Sequence, residues 1–156
     1  MAGIKRSVSF LPLAPVGLDC EDAAMDVVIP IAIGVLYTLL ASLLREPNRQ
    51  HFNAIMIAGA GAAYLNGGLG AWEFAFAAVV TTLAYHGLKS YRLIGVGWVL
   101  HTLWDVAHHL YGTPIVPFVP NSSAGCAICD IVIALWCFAG APSPSERWSA
   151  RHARFS

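Results

Sequence analysis

Two stretches of this chain contain no charged residue over a length that can cross a lipid bilayer. The first, Val27 to Leu44, has 18 residues, and the second, Phe52 to Trp72, has 21 residues. A helix that spans the hydrocarbon core needs about 20 predominantly apolar residues. Both stretches therefore predict membrane-spanning helices, and lipid rather than water is the expected surrounding of much of the chain.

Three further apolar stretches carry only a few polar side chains. They are Phe74 to Leu88, Leu93 to Tyr111 and Ala124 to Pro142. The composition agrees, because 12% of the residues are charged, about half the fraction usual in soluble domains. The apolar runs are continuous rather than alternating, which disfavours a strand barrel. We therefore expect an all-α fold, an integral membrane helical bundle of about five transmembrane helices.

The positive residues predict how this bundle is oriented. Lys and Arg favour the cytoplasmic side of short loops, and here they follow the first, third and fifth apolar stretches, whereas the connections 66–73 and 112–123 contain none. The N-terminus should therefore lie outside and the C-terminus in the cytoplasm, in a multi-pass protein of the cell membrane. The formal net charge is zero, which indicates no nucleic-acid partner.

The chain is expected to divide into three parts. Residues 1–24 should form a loosely ordered N-terminal extension, residues 25–143 the five-helix transmembrane domain, and residues 144–156 a basic cytoplasmic tail. Membrane lipids are the first partners that this organisation predicts.

The fourth apolar stretch contains the richest set of polar residues, in the segment His-Thr-Leu-Trp-Asp-Val-Ala-His-His from 101 to 109. At about 100° per residue, steps of four and seven residues place His101, Asp105 and His108 on one helix face, with His109 at its edge. Imidazole and carboxylate groups together suit Zn or Fe. The segment predicts a metal site, and a polar network in which Asp105 orients a histidine is the alternative.

A second polar cluster, Cys126, Cys129 and Asp130, lies on the fifth stretch. Asp105 and Asp130 are each six residues from the outer end of their helix, which is about 9 Å, so the two carboxylates can meet. The cysteine pair is open to four interpretations: metal ligands, a redox-active dithiol, a disulfide, or two buried structural thiols. A haem fits the chain less well, because His51 and His86 fall near the cytoplasmic ends of their helices.

Glu73, at the head of the third helix, can add a carboxylate to the same outer half, and Asn66 and Tyr64, nearby in sequence, can add hydrogen-bonding groups. Asp130 and Glu73 are the candidate general bases, although an exposed acid is the simpler expectation for Glu73. Tyr64 and Trp72 are expected to anchor the bundle at the interface, where aromatic side chains concentrate.

Five segments of the chain together carry a resemblance to one family. They are Leu-Arg-Glu-Pro at 44–47, His-Phe-Asn-Ala-Ile-Met at 51–56, Trp-Glu-Phe-Ala-Phe at 72–76, the 101–109 segment, and Pro-Phe-Val-Pro-Asn-Ser-Ser-Ala-Gly-Cys-Ala-Ile-Cys-Asp at 117–130. Through these segments the chain from about Met25 to Ser143 resembles an uncharacterised bacterial integral-membrane family, the domain of unknown function 6010 family. The resemblance implies a bacterial inner membrane and brings no activity, cofactor or site residue.

These residues favour a metal-dependent, membrane-embedded enzyme that acts on a lipid-like or apolar small molecule. Zinc would suit hydrolysis and iron would suit oxidation. Serine-nucleophile and phosphate-loop motifs are missing, which argues against serine hydrolases and nucleotide-driven mechanisms. One alternative is a small proton- or ion-conducting carrier or channel, for which a homo-oligomer would help to form the path. The other is a structural membrane subunit with a buried polar network.

Overall fold

The computed structural model describes residues 20–65 and 68–144, and these form five α-helices and no strand. The predicted all-α class with five helices is confirmed for this part of the chain. Residues 1–19 of the predicted N-terminal extension, residues 145–156 of the predicted basic tail, and Asn66 lie outside the described residues. The helices are α1 (Cys20–Ala41), α2 (Asn48–Ala62), α3 (Trp72–Gly87), α4 (Tyr91–Tyr111) and α5 (Ser122–Phe138).

The second uncharged stretch does not form one long helix. The expectation of a span from Phe52 to Trp72 is wrong, because α2 ends at Ala62 and Trp72 already begins α3. Gly70, in the connection that follows, has φ +64°, a left-handed conformation that favours glycine. A lack of charge therefore marks the apolar segment but does not locate the turn within it.

One helix in the described residues is long and apolar enough to cross a membrane. It is the Ala24–Ala41 part of α1, with a mean hydropathy of 2.1, while Ser122–Phe138 is apolar but shorter. The arrangement of five spans and its orientation go beyond this finding and are therefore proposals.

The helices pack around α4, which lies against α5, α3 and α2, while α1 packs mainly on α5. Glycines allow two of these close approaches: a Cβ on Gly34 would lie 2.9 Å from the Cys129 carbonyl oxygen, and one on Gly97 would lie 3.0 Å from Ile57. Small residues at such crossings are typical of helices packed in membranes. The apolar core includes Ile57, Val80, Ile94, Trp98 and Ile133.

Arg49 closes one end of the bundle. Its side chain is buried and its Nη2 lies 2.7 Å from Glu46 Oε1. The Tyr91 hydroxyl also donates to Glu46 Oε1, at 2.7 Å. The other buried charged groups of the described part of the chain lie in the interior between the middle of α4 and its C-terminal end. They are Glu73, His101, Asp105, His108 and Asp130.

Candidate metal centre

His101 lies between two carboxylates, one from its own helix and one from α5. Its Nδ1 is 2.7 Å from Asp130 Oδ2 and 3.3 Å from Asp105 Oδ2. The three side chains each offer one ligand atom, and these atoms all lie within 4.8 Å of one another. Asp105 is one turn after His101 on α4, and α5 supplies Asp130 at the same depth, so the expected meeting of the two carboxylates is confirmed.

The other ring nitrogen of His101 is already engaged. Nε2 lies 2.9 Å from the Ala60 carbonyl oxygen, and because a carbonyl can only accept, Nε2 carries a proton and donates it. In a neutral ring, Nδ1 then carries a lone pair that faces two carboxylate oxygens. Nδ1, Asp105 Oδ2 and Asp130 Oδ2 would all be acceptors, and their close approach requires a proton or a metal ion between them.

The residues present fit a metal ion. One imidazole nitrogen and two carboxylate oxygens are ligands that Zn and Fe accept, and three protein ligands leave room for a further one. Asp105 Oδ2 is buried and has no hydrogen-bond partner. A buried carboxylate oxygen without a partner is unfavourable, and coordination to a metal would satisfy it.

Tyr64 contacts the second oxygen of Asp105. Its hydroxyl donates to Asp105 Oδ1 at 2.6 Å and also hydrogen-bonds Ser123 Oγ at 3.1 Å. Tyr64 is 1% exposed, so the expectation that it anchors the bundle at the interface is wrong. Trp72, by contrast, is 72% exposed. Tyr64 was predicted as a possible hydrogen-bonding group of this outer half, and it does form these bonds. Ser123 was missed, because its partner Tyr64 lies just beyond the end of α2 and many residues away along the chain.

Glu73 and His108 form a second buried pair. His108 Nε2 lies 3.2 Å from Glu73 Oε1, and the backbone N–H of Leu69 donates to the same oxygen at 2.7 Å. Trp104 Nε1 donates to Glu73 Oε2 at 3.4 Å. The expectation of an exposed acid at Glu73 is wrong, because its side chain is 2% exposed. His108 shares a helix face with His101 as predicted, but it faces Glu73 rather than the two aspartates.

The Tyr64 ring lies between the two histidines. It stacks on His108 with a centroid separation of 3.9 Å and an interplanar angle of 23°, and its centroid is 5.9 Å from that of His101. The two His–carboxylate groups are therefore distinct but share one aromatic neighbour.

The other predicted ligands lie outside the group of three. His109 is exposed, and with Cys126 and Cys129 it lines a groove of about 550 Å³ between α1 and α5. Both thiols are free rather than joined in a disulfide. His51 and His86, considered for haem, are exposed near the first turn of α2 and the last turn of α3. Metal ligation by His108, His109, Cys126 or Cys129 stays a prediction.

Fold and site together define the chain as a small helical bundle with a buried His–Asp–Asp group that can hold a metal ion. The chain belongs to the family of unknown function DUF6010, whose sequence profile matches residues 25–143. This match confirms the resemblance and its boundaries. Searches of curated proteins and of solved structures find no match.

Proposed function

We propose that this protein is an integral membrane metalloprotein that binds one Zn or Fe ion between His101, Asp105 and Asp130. The observation that carries this proposal is the arrangement of His101. Its Nε2 donates to Ala60, while its Nδ1 lies 2.7 Å and 3.3 Å from two carboxylate oxygens. A metal ion would neutralise the two carboxylates together, whereas a single proton would leave one negative charge buried.

The distribution of side chains supports the membrane setting. The five charged or ionisable side chains of the two His–carboxylate groups are buried in the interior, while large apolar side chains face outward on every helix. On α1 only 11% of the Ala24–Ala41 segment is buried. Water does not favour an exposed apolar surface of this extent, and lipid does. The absence of Lys and Arg from the connections 66–73 and 112–123 supports the proposed orientation, with the metal centre in the outer half.

Three of the helices are short for a bilayer. At 1.5 Å per residue, α2, α3 and α5 are about 22, 24 and 26 Å long, against about 30 Å for a typical hydrocarbon core. Local thinning of the bilayer accommodates such a mismatch at modest cost. We therefore propose that all five helices span, with the membrane thinnest beside α2 and α3.

We further propose that the centre is catalytic. Three protein ligands are typical of catalytic rather than structural zinc sites. When bound, the ion would supply Lewis-acid activation of water or of a substrate carbonyl. Asp130, which was predicted as a general base, is better placed as a ligand, while Glu73 lies in the separate buried pair with His108. A lipid-like substrate would arrive from the bilayer, and the proposed route is the groove lined by Cys129, the residue next to Asp130 in sequence.

Metal analysis tests this proposal. Protein purified in detergent without chelators should contain about one Zn or Fe per chain, and His101→Ala and Asp130→Ala should lose it. Thr102→Ala is the matched control on the same helix, because its hydroxyl donates to the Trp98 carbonyl oxygen at 3.0 Å rather than facing the centre. Folded wild type without stoichiometric metal would contradict the proposal.

The Glu73–His108 pair favours a second candidate, a proton- or ion-conducting carrier. Two buried His–carboxylate groups separated by one aromatic ring resemble the polar chains that mark such paths in membranes. Vesicles reconstituted with the protein and loaded with a pH-sensitive dye would then show proton flux that Glu73→Gln abolishes. Wild-type vesicles that are as tight as protein-free vesicles would exclude proton conduction.

A further inference from the structure

Tyr64 is fixed on three sides in the interior of the bundle. Its ring stacks on His108, and its hydroxyl lies between Asp105 Oδ1 at 2.6 Å and Ser123 Oγ at 3.1 Å. Ser123 is fully buried and its Oγ also accepts the backbone N–H of Ile115 at 3.1 Å. A side chain with this many fixed contacts presents its hydroxyl in one place.

The two oxygens of Asp105 are used differently. Oδ1 accepts the short hydrogen bond from Tyr64, whereas Oδ2 has no hydrogen bond and lies 3.3 Å from His101 Nδ1. A hydroxyl bound to one carboxylate oxygen fixes the rotation of the carboxylate and therefore the direction of the other oxygen. Hydrogen bonds of this kind orient metal ligands in many proteins.

We propose that Tyr64 is the positioning residue of the metal centre, holding Asp105 so that Oδ2 alone is directed toward the ion. This inference rests on the metal centre proposed above and adds a residue that does not itself touch the metal. Ser123 extends the arrangement, because it links Tyr64 to the connection between α4 and α5 through Ile115. Asp105 is thereby tied to the outer surface of the bundle.

Tyr64→Phe removes the hydroxyl and keeps the ring on His108. Its Zn affinity, measured in detergent by competition with a chromophoric chelator, should fall about 10- to 100-fold, as is usual when a metal ligand loses its orienting partner. Tyr37→Phe is the matched control, because the Tyr37 hydroxyl is also in the interior and donates to Asn53 Oδ1 at 2.9 Å. This control should lose a hydrogen bond without changing the Zn affinity.

The outcomes separate the positioning role from the metal proposal. If wild type binds Zn and Tyr64→Phe binds it equally tightly, Tyr64 is structural and the inference is wrong, while the metal centre stands. If folded wild type binds no Zn or Fe, both fail. Should Tyr64→Phe not fold, Ser123→Ala decides: loss of the partner of the Tyr64 hydroxyl should weaken Zn binding to a smaller degree, and unchanged binding would overturn the inference.

Discussion

His101 Nδ1 and Asp130 Oδ2, 2.7 Å apart, join α4 to α5 across the interior of the bundle. Neither helix alone can complete this site, because α4 supplies His101 and Asp105 and only α5 supplies Asp130. Any metal bound here would therefore also link the two helices. Binding that exists only in the folded state stabilises that state, so metal removal should lower thermal stability as well as any activity.

Asp105→Asn should weaken metal binding about 10-fold or more. The substitution keeps the shape of the side chain but removes its charge. If the amide oxygen accepts the hydrogen bond from the Tyr64 hydroxyl, the amide NH2, which has no lone pair for a metal, faces His101. Chelator competition on purified protein measures the change. Asp26→Asn is the control, because Asp26 is exposed and its Oδ2 accepts a hydrogen bond from Asn121 at 3.3 Å. Equal affinities of Asp105→Asn and wild type would remove Asp105 from the ligand set.

Replacing both Cys126 and Cys129 by Ala should leave the metal content at about one ion per chain. Both thiols line the α1–α5 groove and neither belongs to the group formed by His101 and the two aspartates. Elemental analysis of the double variant provides the measurement. In the wild type, mass spectrometry after alkylation should find both thiols free. Loss of metal from the double variant would instead support the prediction that these cysteines are ligands.

Local spacing predicted the parts of the site that lie within one helix. The four- and seven-residue steps on α4 place His101, Asp105 and His108 on one face, and all three are buried. Depth along two antiparallel helices also predicted that Asp105 and Asp130 meet. These predictions depend only on helix geometry, which is nearly the same in every helix.

Contacts between helices that are distant in sequence were not predictable in the same way. Glu73 is buried because Trp104 and His108 on α4 face the first turn of α3, and a single sequence does not show which faces of α3 and α4 meet. Tyr64 was assigned to the interface for the same reason. The depth of polar residues was the one signal that could have indicated these contacts. Tyr64, Glu73 and Asp105 all lie near the outer end of their segments, where polar side chains of neighbouring helices can meet.

Gly34→Ala should destabilise the protein by about 1–3 kcal/mol, the usual range for overpacking a tight contact. The added Cβ would lie 2.9 Å from both the Cys129 carbonyl oxygen and Val132 Cβ, and the backbone of α5 cannot move aside without shifting Asp130. Thermal unfolding in detergent measures the effect. Gly59→Ala is the matched control on α2, where a Cβ meets nothing within 4 Å, and it should be neutral or stabilising by up to about 1 kcal/mol. Similar destabilisation by both variants would contradict the α1–α5 packing.

The proposed orientation predicts where a cysteine can be labelled in intact cells. In a background with Cys20, Cys126, Cys129 and Cys137 replaced by Ala, a cysteine introduced by Asn121→Cys should react with a membrane-impermeant maleimide. One introduced by Lys89→Cys should react only after the cells are permeabilised. Both native residues are exposed, so a lack of reaction reports the membrane rather than burial within the protein. Lys89 follows α3, on the side where positive residues collect, and Asn121 precedes α5 in a connection without Lys or Arg.

Labelling of both variants in detergent is the control for reactivity. The reverse pattern in cells would invert the orientation and place the centre of His101, Asp105 and Asp130 in the cytoplasmic half. Equal labelling of both sites in intact cells, before permeabilisation, would contradict the five-span arrangement itself, because an odd number of crossings separates the two positions. In the proposed bundle only α4 lies between Lys89 and Asn121, so the pair also tests whether this helix, which carries His101 and Asp105, crosses the membrane.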